Sequence, residues 1–164
     1  MPGKKLFWRS AALTLALSTS ACAEENCTFN NERLSQKHYA TNQSVATFHY
    51  FTQSNEVKGV LKNGNLFSIK QWSCDHYGKQ AILILGPQLP SIPEILNDQL
   101  LALGELALEK LELELVTKAI HNTPLKLANA PLKLNIPTDE FNEFYVQIGY
   151  ISDVIIIEIK LYKS

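Results

Sequence analysis

The sequence predicts a single α+β domain: an antiparallel sheet, built from an N-terminal four-strand meander and a C-terminal hairpin, with one main helix packed on a face. Runs of strand period alternate with turn residues between residues 47 and 85, a helical apolar stripe follows residue 93, and two alternating runs close the chain. The chain has 164 residues, of which 46% are hydrophobic and 19% charged, a composition typical of a globular domain and not of a disordered chain.

The first 23 residues have the organisation of a secretory signal. An apolar run over residues 11–17 is followed by small residues up to Ala23. Three cations precede the run: Lys4, Lys5 and Arg9. The run is shorter than the about 20 residues that span a bilayer, and no later stretch is long enough either. We therefore expect a signal peptide over residues 1–23, a mature domain over residues 24–164, and a periplasmic or secreted location.

Cys22 allows a second interpretation of this segment, in which the cysteine accepts a lipid anchor. A bacterial lipid-attachment motif normally carries an aliphatic residue where Thr19 stands. We therefore favour soluble export, with the lipid anchor at Cys22 as the alternative.

Cleavage after Ala23 leaves two cysteines, Cys27 and Cys74. An even pair in an exported chain predicts one disulfide. In the chain-entropy model such a bridge would stabilise the fold by roughly 4 kcal/mol. The alternative is that Cys74 acts as a nucleophile beside His76, but the sequence offers no third group to orient that histidine.

Cleavage also changes the net charge of the protein. The whole chain carries 15 basic and 16 acidic residues, and the mature chain would keep 12 and 16, a formal charge of −4. A mildly acidic chain without a basic cluster gives no reason to expect nucleic acid or anionic lipid as a partner. It favours a basic protein partner, because complementary charge raises the rate of encounter.

The meander begins after a polar segment, residues 24–46, which predicts a loop or short helix. Alternating side chains from Thr47 to Trp72 predict three strands, and Asn63-Gly64 between the second and third predicts a type I′ hairpin turn. Ala81–Leu85 is continuously apolar, which predicts a central strand with both faces covered.

The main helix is predicted over residues 93–110. Its apolar side consists of Ile95, Leu96, Leu100, Leu103, Leu106 and Ala107, and its polar side of Asn97, Asp98, Gly104, Glu105 and Glu109. Past Lys110 the pattern is ambiguous, because Leu111, Leu113 and Leu115 alternate with acids at strand period. We favour continued helix to about Ile120.

The C-terminal part predicts strands again. Two Pro-Leu-Lys-Leu segments, at residues 124–127 and 131–134, predict two short edge strands or an extended crossing. Phe144–Ile151 and Val154–Tyr162, separated by two residues, predict a hairpin. Val154 and Ile156 extend its apolar character onto a second face, which is either covered by another element or available to a partner.

No metal, cofactor or nucleotide site is predicted. The four histidines lack zinc-type spacing: His38, His49, His76 and His121. Neither a glycine-rich phosphate loop nor a nucleophile elbow occurs. A carboxylate pair for glycoside hydrolysis can converge in any chain with 16 acids, so that possibility is generic.

Two loops are candidate binding sites. The first combines aromatic, imidazole and acidic side chains near the predicted disulfide: Trp72, Asp75, His76 and Tyr77. A rigid loop with aromatic side chains makes a good contact anchor, although Trp72 and Tyr77 can also simply pack. The second loop presents three acids around Phe141: Asp139, Glu140 and Glu143.

Export, small size and the lack of a catalytic motif favour a binding protein over an enzyme. We expect an immunity or inhibitor protein that neutralises another exported protein, such as a toxin or a cell-wall hydrolase. The alternative is a small periplasmic hydrolase whose site is built from the 74–77 and 139–143 loops. A deep pocket joining these loops would favour the hydrolase, and a flat or convex surface the binding protein.

Overall fold

The computed structural model of the chain describes residues 34, 36–73, 76–86, 93–123, 131–152 and 154–164, with the backbone alone for residues 93–95. In these residues seven strands form one antiparallel sheet in the order β1-β2-β3-β4-β7-β6-β5. The strands are β1 Val45–Phe51, β2 Glu56–Leu61, β3 Leu66–Ser73, β4 Tyr77–Leu85, β5 Leu132–Asn135, β6 Glu143–Ile151 and β7 Val154–Lys163. The helices are α1 Gln36–Thr41, α2 Pro93–Ala107 and α3 Lys110–Asn122, and a 3-10 turn spans Thr52–Ser54. The predicted α+β class, the meander and the hairpin are confirmed.

The sheet joins the two predicted halves through β4 and β7, which pair over their whole lengths from Tyr77↔Lys163 to Leu85↔Ile155. Side chains of one face lie in a core with the helices, and Ile69, Leu83 and Ile157 are completely buried there. The alternation of β7 puts Glu158, Lys160 and Tyr162 on the opposite face, as its sequence predicts. β5 lies at the edge of the sheet, which suits a strand that follows a proline.

The turn between β2 and β3 differs from the predicted type I′ hairpin. Among its residues, 62–65, Gly64 has a positive φ of 87° while Asn63 does not. The Asn63 side chain accepts a hydrogen bond from the backbone N–H of Asn65 at 3.1 Å, which stabilises the ordinary backbone conformation at Asn63. Only the glycine is therefore left-handed, and the loop is longer than two residues.

Two helices cover the core face of the sheet where the sequence predicts one main helix. The chain leaves α2 at Leu108 and restarts at Glu109, which caps α3. Glu109 and Glu112 form a capping box, in which the Glu112 carboxylate accepts a hydrogen bond from the Glu109 N–H at 2.7 Å. The ambiguous segment after Lys110 is thus helical, as favoured, but it belongs to a second helix.

Gly104 was predicted on the polar side of the helix, and that placement is wrong. Gly104 is buried against α3, where an added Cβ would come within 2.7 Å of the Leu113 side chain. Glycine at this position lets the two helices approach closely, a contact that a pattern based on hydrophobicity does not reveal. The predicted apolar side is otherwise correct where described, since Leu96, Leu100 and Leu103 are all buried.

Only one face of β4 is covered, contrary to the prediction of a strand buried on both faces. Ala81, Leu83 and Leu85 lie in the core, but Ile84 is 37% exposed and Ile82 is half-buried on the other face. We call this second side the open face of the sheet. Its aliphatic residues explain why the sequence of β4 resembles that of a fully covered strand.

A buried ion pair connects the core face of the sheet to α3. Lys79 Nζ lies 2.9 Å from Glu112 Oε2, and the two side chains are only 2% and 7% exposed. Gln71 of β3 lies directly opposite Lys79 of β4 in the strand register. The Gln71 carbonyl accepts a hydrogen bond from the buried Asn55 side chain at 3.0 Å. This end of the core is therefore polar and satisfied by specific partners.

Several predictions fall outside the described residues. They concern the signal peptide over residues 1–23, the lipid alternative at Cys22, the Cys27–Cys74 disulfide and the segment 124–130. Among the described helices none is long and apolar enough to cross a membrane.

Candidate functional site

One end of the sheet brings the two predicted loops together. Glu143 at the start of β6 pairs with Tyr162 of β7, and Tyr162 pairs with Gly78 of β4, which in turn faces Trp72 of β3. Trp72 and Glu143 are thus three strand spacings apart, about 14 Å. We call this region, formed by residues 72, 73, 76 and 77, residues 137–143 and Tyr162, the loop end.

Trp72 lies flat on the open face at the loop end. A Cβ added at Gly78 would overlap the Trp72 indole atoms Cε2, Cζ2 and Nε1, so the ring occupies the space above the glycine. One side of the indole covers the backbone of Gly78, while the side chain as a whole remains half-buried. The ring therefore both packs and leaves a surface that a partner can contact.

Substituting alanine for Gly78 should displace the indole. We expect Gly78→Ala to lower the free energy of unfolding by about 1–3 kcal/mol, because a methyl group is forced into occupied space. Trp72 fluorescence should shift toward the emission of a more exposed indole. Gly149→Ala is the matched control, since an added Cβ there meets nothing within 4 Å. Unchanged fluorescence in Gly78→Ala would contradict this position of the ring.

The other predicted residues of the first loop have different surroundings. His76 is exposed, with its ring 5.7 Å from the ring of Tyr162. Tyr77 packs against the core, so the simple packing interpretation holds for Tyr77. Asp75 lies outside the described residues. Tyr162 takes a place in the ring cluster that the sequence did not assign to it.

The acidic loop is held at several points. The Ile136 N–H donates to the Phe144 carbonyl at 2.8 Å and closes the base of the loop. The rings of Phe141 and Phe144 meet edge to face at 5.5 Å, and Asn142 Oδ1 accepts a hydrogen bond from the Ser164 N–H at 2.7 Å. The loop thus presents its side chains from a fixed backbone, which reduces the entropy lost when a partner binds.

The three acids of this loop are not equivalent. Asp139 and Glu140 are exposed. Glu143 lies between two lysines, with its carboxylate 3.3 Å from Lys160 Nζ and 3.9 Å from Lys133 Nζ. Its charge is therefore balanced within the chain, and the acidity that the loop presents to solvent comes from Asp139 and Glu140.

Lysines and a tyrosine surround Glu143 on the open face. Lys133 Nζ lies 3.8 Å above the centre of the Tyr145 ring, a cation–π contact. Burial, followed by the field of Glu158, raises the pKa of the Tyr145 hydroxyl. Desolvation alone would lower the pKa of Lys160, but its hydrogen bond to Glu143 together with the fields of Tyr145, Glu143 and Glu158 outweighs desolvation and raises this pKa. Both shifts reinforce the states that these groups already have at neutral pH, a neutral Tyr145 hydroxyl and a charged Lys160.

Sequence reasoning missed the residues that complete this region, namely Tyr162, Lys133, Tyr145 and Lys160. Their alternation within β5, β6 and β7 predicts which of them share a face of their own strand, but not which residues of different strands lie side by side. That information is in the register between strands distant in sequence, which the residue pattern of a single chain does not specify.

The loop end combines the half-buried Trp72 ring, the exposed His76 ring, two exposed carboxylates and a fixed loop. In the part of the chain that the structure describes, no three histidine, cysteine or acidic side chains are grouped so as to hold a metal ion. Comparisons with protein-family models, curated proteins and solved structures find no match for this chain.

Proposed function

We propose that this chain is an exported binding protein, an immunity or inhibitor protein that neutralises another exported protein such as a toxin or a cell-wall hydrolase. The observation that carries the proposal is the fixed acidic loop, whose exposed Asp139 and Glu140 lie at the same end of the sheet as Trp72 and His76. Rigid aromatic anchors beside charges that steer association are typical of protein-binding surfaces.

The partner we expect is a basic protein. The mature chain would carry a formal charge of −4, and two exposed carboxylates stand at the proposed contact surface. A basic partner would be attracted to this end, while nucleic acid and anionic lipid would be repelled. Export rests on the signal-like N-terminal segment, with soluble release preferred to a lipid anchor at Cys22.

A capture experiment with charge-reversed variants tests this function. The full chain is expressed, purified and immobilised, then exposed to periplasmic extract and to the purified product of the neighbouring gene. We expect one basic protein to be retained, and Asp139→Lys/Glu140→Lys to weaken its capture about tenfold or more. The loss should shrink at high salt, because screening removes the steering of exposed charges.

The matched control is Asp98→Lys/Glu114→Lys, which makes the same charge change at exposed positions of α2 and α3. Glu143 is left unchanged, because reversing it would place three cations together. The captured protein must also lose its own activity when the chain is added in equal amount. Equal capture by both charge variants would overturn the proposed surface, and a hydrolytic activity that His76→Ala abolishes would establish the hydrolase instead.

A further inference from the structure

The open face carries an exposed apolar row across four adjacent inner strands. The register aligns one residue from each of β2, β3, β4 and β7: Val60, Leu66, Ile84 and Ile156. Leu66 is 48% exposed and Ile84 is 37% exposed, although both lie on inner strands of the sheet. A contiguous aliphatic patch on an otherwise polar face is typical of an interaction surface.

Two further rows run beside the apolar one, and both end in charges. In strand order the first consists of Lys58, Ser68, Ile82 and Glu158, and the second of Glu56, Lys70, Gln80 and Lys160. In each of these rows the charge on β2 is opposite in sign to the charge on β7. The apolar row, by contrast, has aliphatic residues at every position.

This order of residues is self-complementary about a line between β3 and β4. A twofold axis along that line, parallel to the strands, would place β2 of one copy on β7 of the other and β3 on β4. Lys58 would then face Glu158 of the second copy, and Glu56 would face Lys160. Leu66 would face Ile84 at the centre.

We propose that the open face is the interface of a homodimer, in which two copies of this chain stack sheet on sheet about this axis. The apolar row forms the dry part of the interface, and four ion pairs between the copies lie in the two rows beside it. The charges select this axis. A twofold axis along the row of Lys58 and Glu158 would instead place Lys58 opposite Lys58 of the second copy and Glu158 opposite Glu158, so that like charges would meet.

The dimensions of the face are sufficient for a stable dimer. The three rows continue onto β1 and β6, where Thr47, His49 and Phe51 would face Gly149, Gln147 and Tyr145 of the second copy. Six strands and three rows cover about 600 Å² of sheet in plane, close to the about 800 Å² of accessible surface that each partner of a standard interface buries. Stacked sheets cross at about 30°, and the long lysine and glutamate side chains span the resulting offset.

Sedimentation equilibrium of the purified protein, expressed as the full chain, tests the proposal. The wild type should dimerise reversibly in the micromolar range or below. Lys58→Glu places a second carboxylate opposite Glu158 of the other copy, and Glu158→Lys places a second lysine opposite Lys58. We therefore expect the dimer dissociation constant of each variant alone to rise about tenfold or more. A mixture of the two variants should form a heterodimer that binds more tightly than either variant does with itself, because Glu replacing Lys58 then faces Lys replacing Glu158 at one site and the native Lys58 faces the native Glu158 at the other, so both sites pair opposite charges.

The double variant Lys58→Glu/Glu158→Lys should dimerise like the wild type, since the two signs are simply exchanged. Lys118→Glu and Glu114→Lys, which are exposed on α3, are the matched controls and should leave the dimer unchanged. Thermal melts check that each variant is folded. The proposal is overturned if the wild type stays monomeric at all concentrations, or if the double variant dimerises as weakly as the single ones. Capture by the Asp139 and Glu140 variants reports on the proposed function separately, because those residues lie outside the three rows.

Discussion

Replacing Lys79 with methionine should lower the free energy of unfolding by about 3–5 kcal/mol. The change leaves the Glu112 carboxylate buried at the junction of β4 and α3 without the ammonium group that lies 2.9 Å from it. A buried charge without its partner destabilises the fold by more than the intact pair stabilises it, because no attraction then offsets the lost hydration of the carboxylate. Urea unfolding followed by circular dichroism measures the loss.

The double variant Lys79→Met/Glu112→Gln separates the lost charge from the lost packing. A glutamine at position 112 can still accept the hydrogen bond from the Glu109 N–H that begins α3, and no charge remains buried. We expect it to regain most of the stability that the single variant loses. Lys133→Met, which breaks the pair with Glu143 in which both side chains are more than 40% exposed, should cost no more than about 1 kcal/mol. A Lys79→Met protein as stable as the wild type would contradict the buried pair.

The parts of the fold that the sequence predicted are those with a local physical signal. Alternation in β7 separates Ile157 from Glu158 because successive side chains of a strand point to opposite faces. The apolar stripe of α2 works in the same way at helical period. Pro131 and the short run after it similarly indicate an edge position, because proline cannot donate a backbone hydrogen bond.

The parts that it missed depend on partners or on weak local signals. The break between the helices is marked by a capping box that starts with Glu109, and glutamate is not among the preferred N-cap residues. Gly104 is buried because Leu113 approaches it, which requires knowing that a second helix packs there. The strand pattern of Leu111, Leu113 and Leu115 is coincidental, since Leu111 is exposed and only the helical arrangement buries Val116 and Ile120.

The candidate site follows the same division. The residue types at Trp72 and Asp139 suggested contact loops, but nothing local placed these loops at one end of the sheet. That placement results from the pairing of β4 with β7, which join segments about 80 residues apart in the chain. The balance of Glu143 by Lys133 and Lys160 also requires this pairing, so the sequence overstated the acidity of the loop.

The two proposals together predict the geometry of an assembly. A twofold axis parallel to the strands keeps both copies in the same orientation along it, so both loop ends would lie at the same end of the dimer. Two acidic loops would then face one direction, and a multivalent partner would gain effective concentration for the second contact. The single charge-reversed variants at Lys58 and Glu158 remove this advantage without changing either loop.

Substituting aspartate for Leu103 should be the most damaging single change in the described chain. Leu103 is completely buried between α2 and the sheet. Its loss removes a core side chain, which alone costs about 2–5 kcal/mol, and adds a carboxylate without a partner. The sum approaches the whole stability of a typical domain, so we expect an unfolded protein by circular dichroism.

Leu103→Ala should remain folded and permit the packing loss to be measured separately. Leu111→Asp is the matched control, because Leu111 is 51% exposed in the first turn of α3, where an acid favours the helix dipole. If Leu103→Asp melts like Leu111→Asp, the face of α2 that contacts the sheet has been assigned incorrectly.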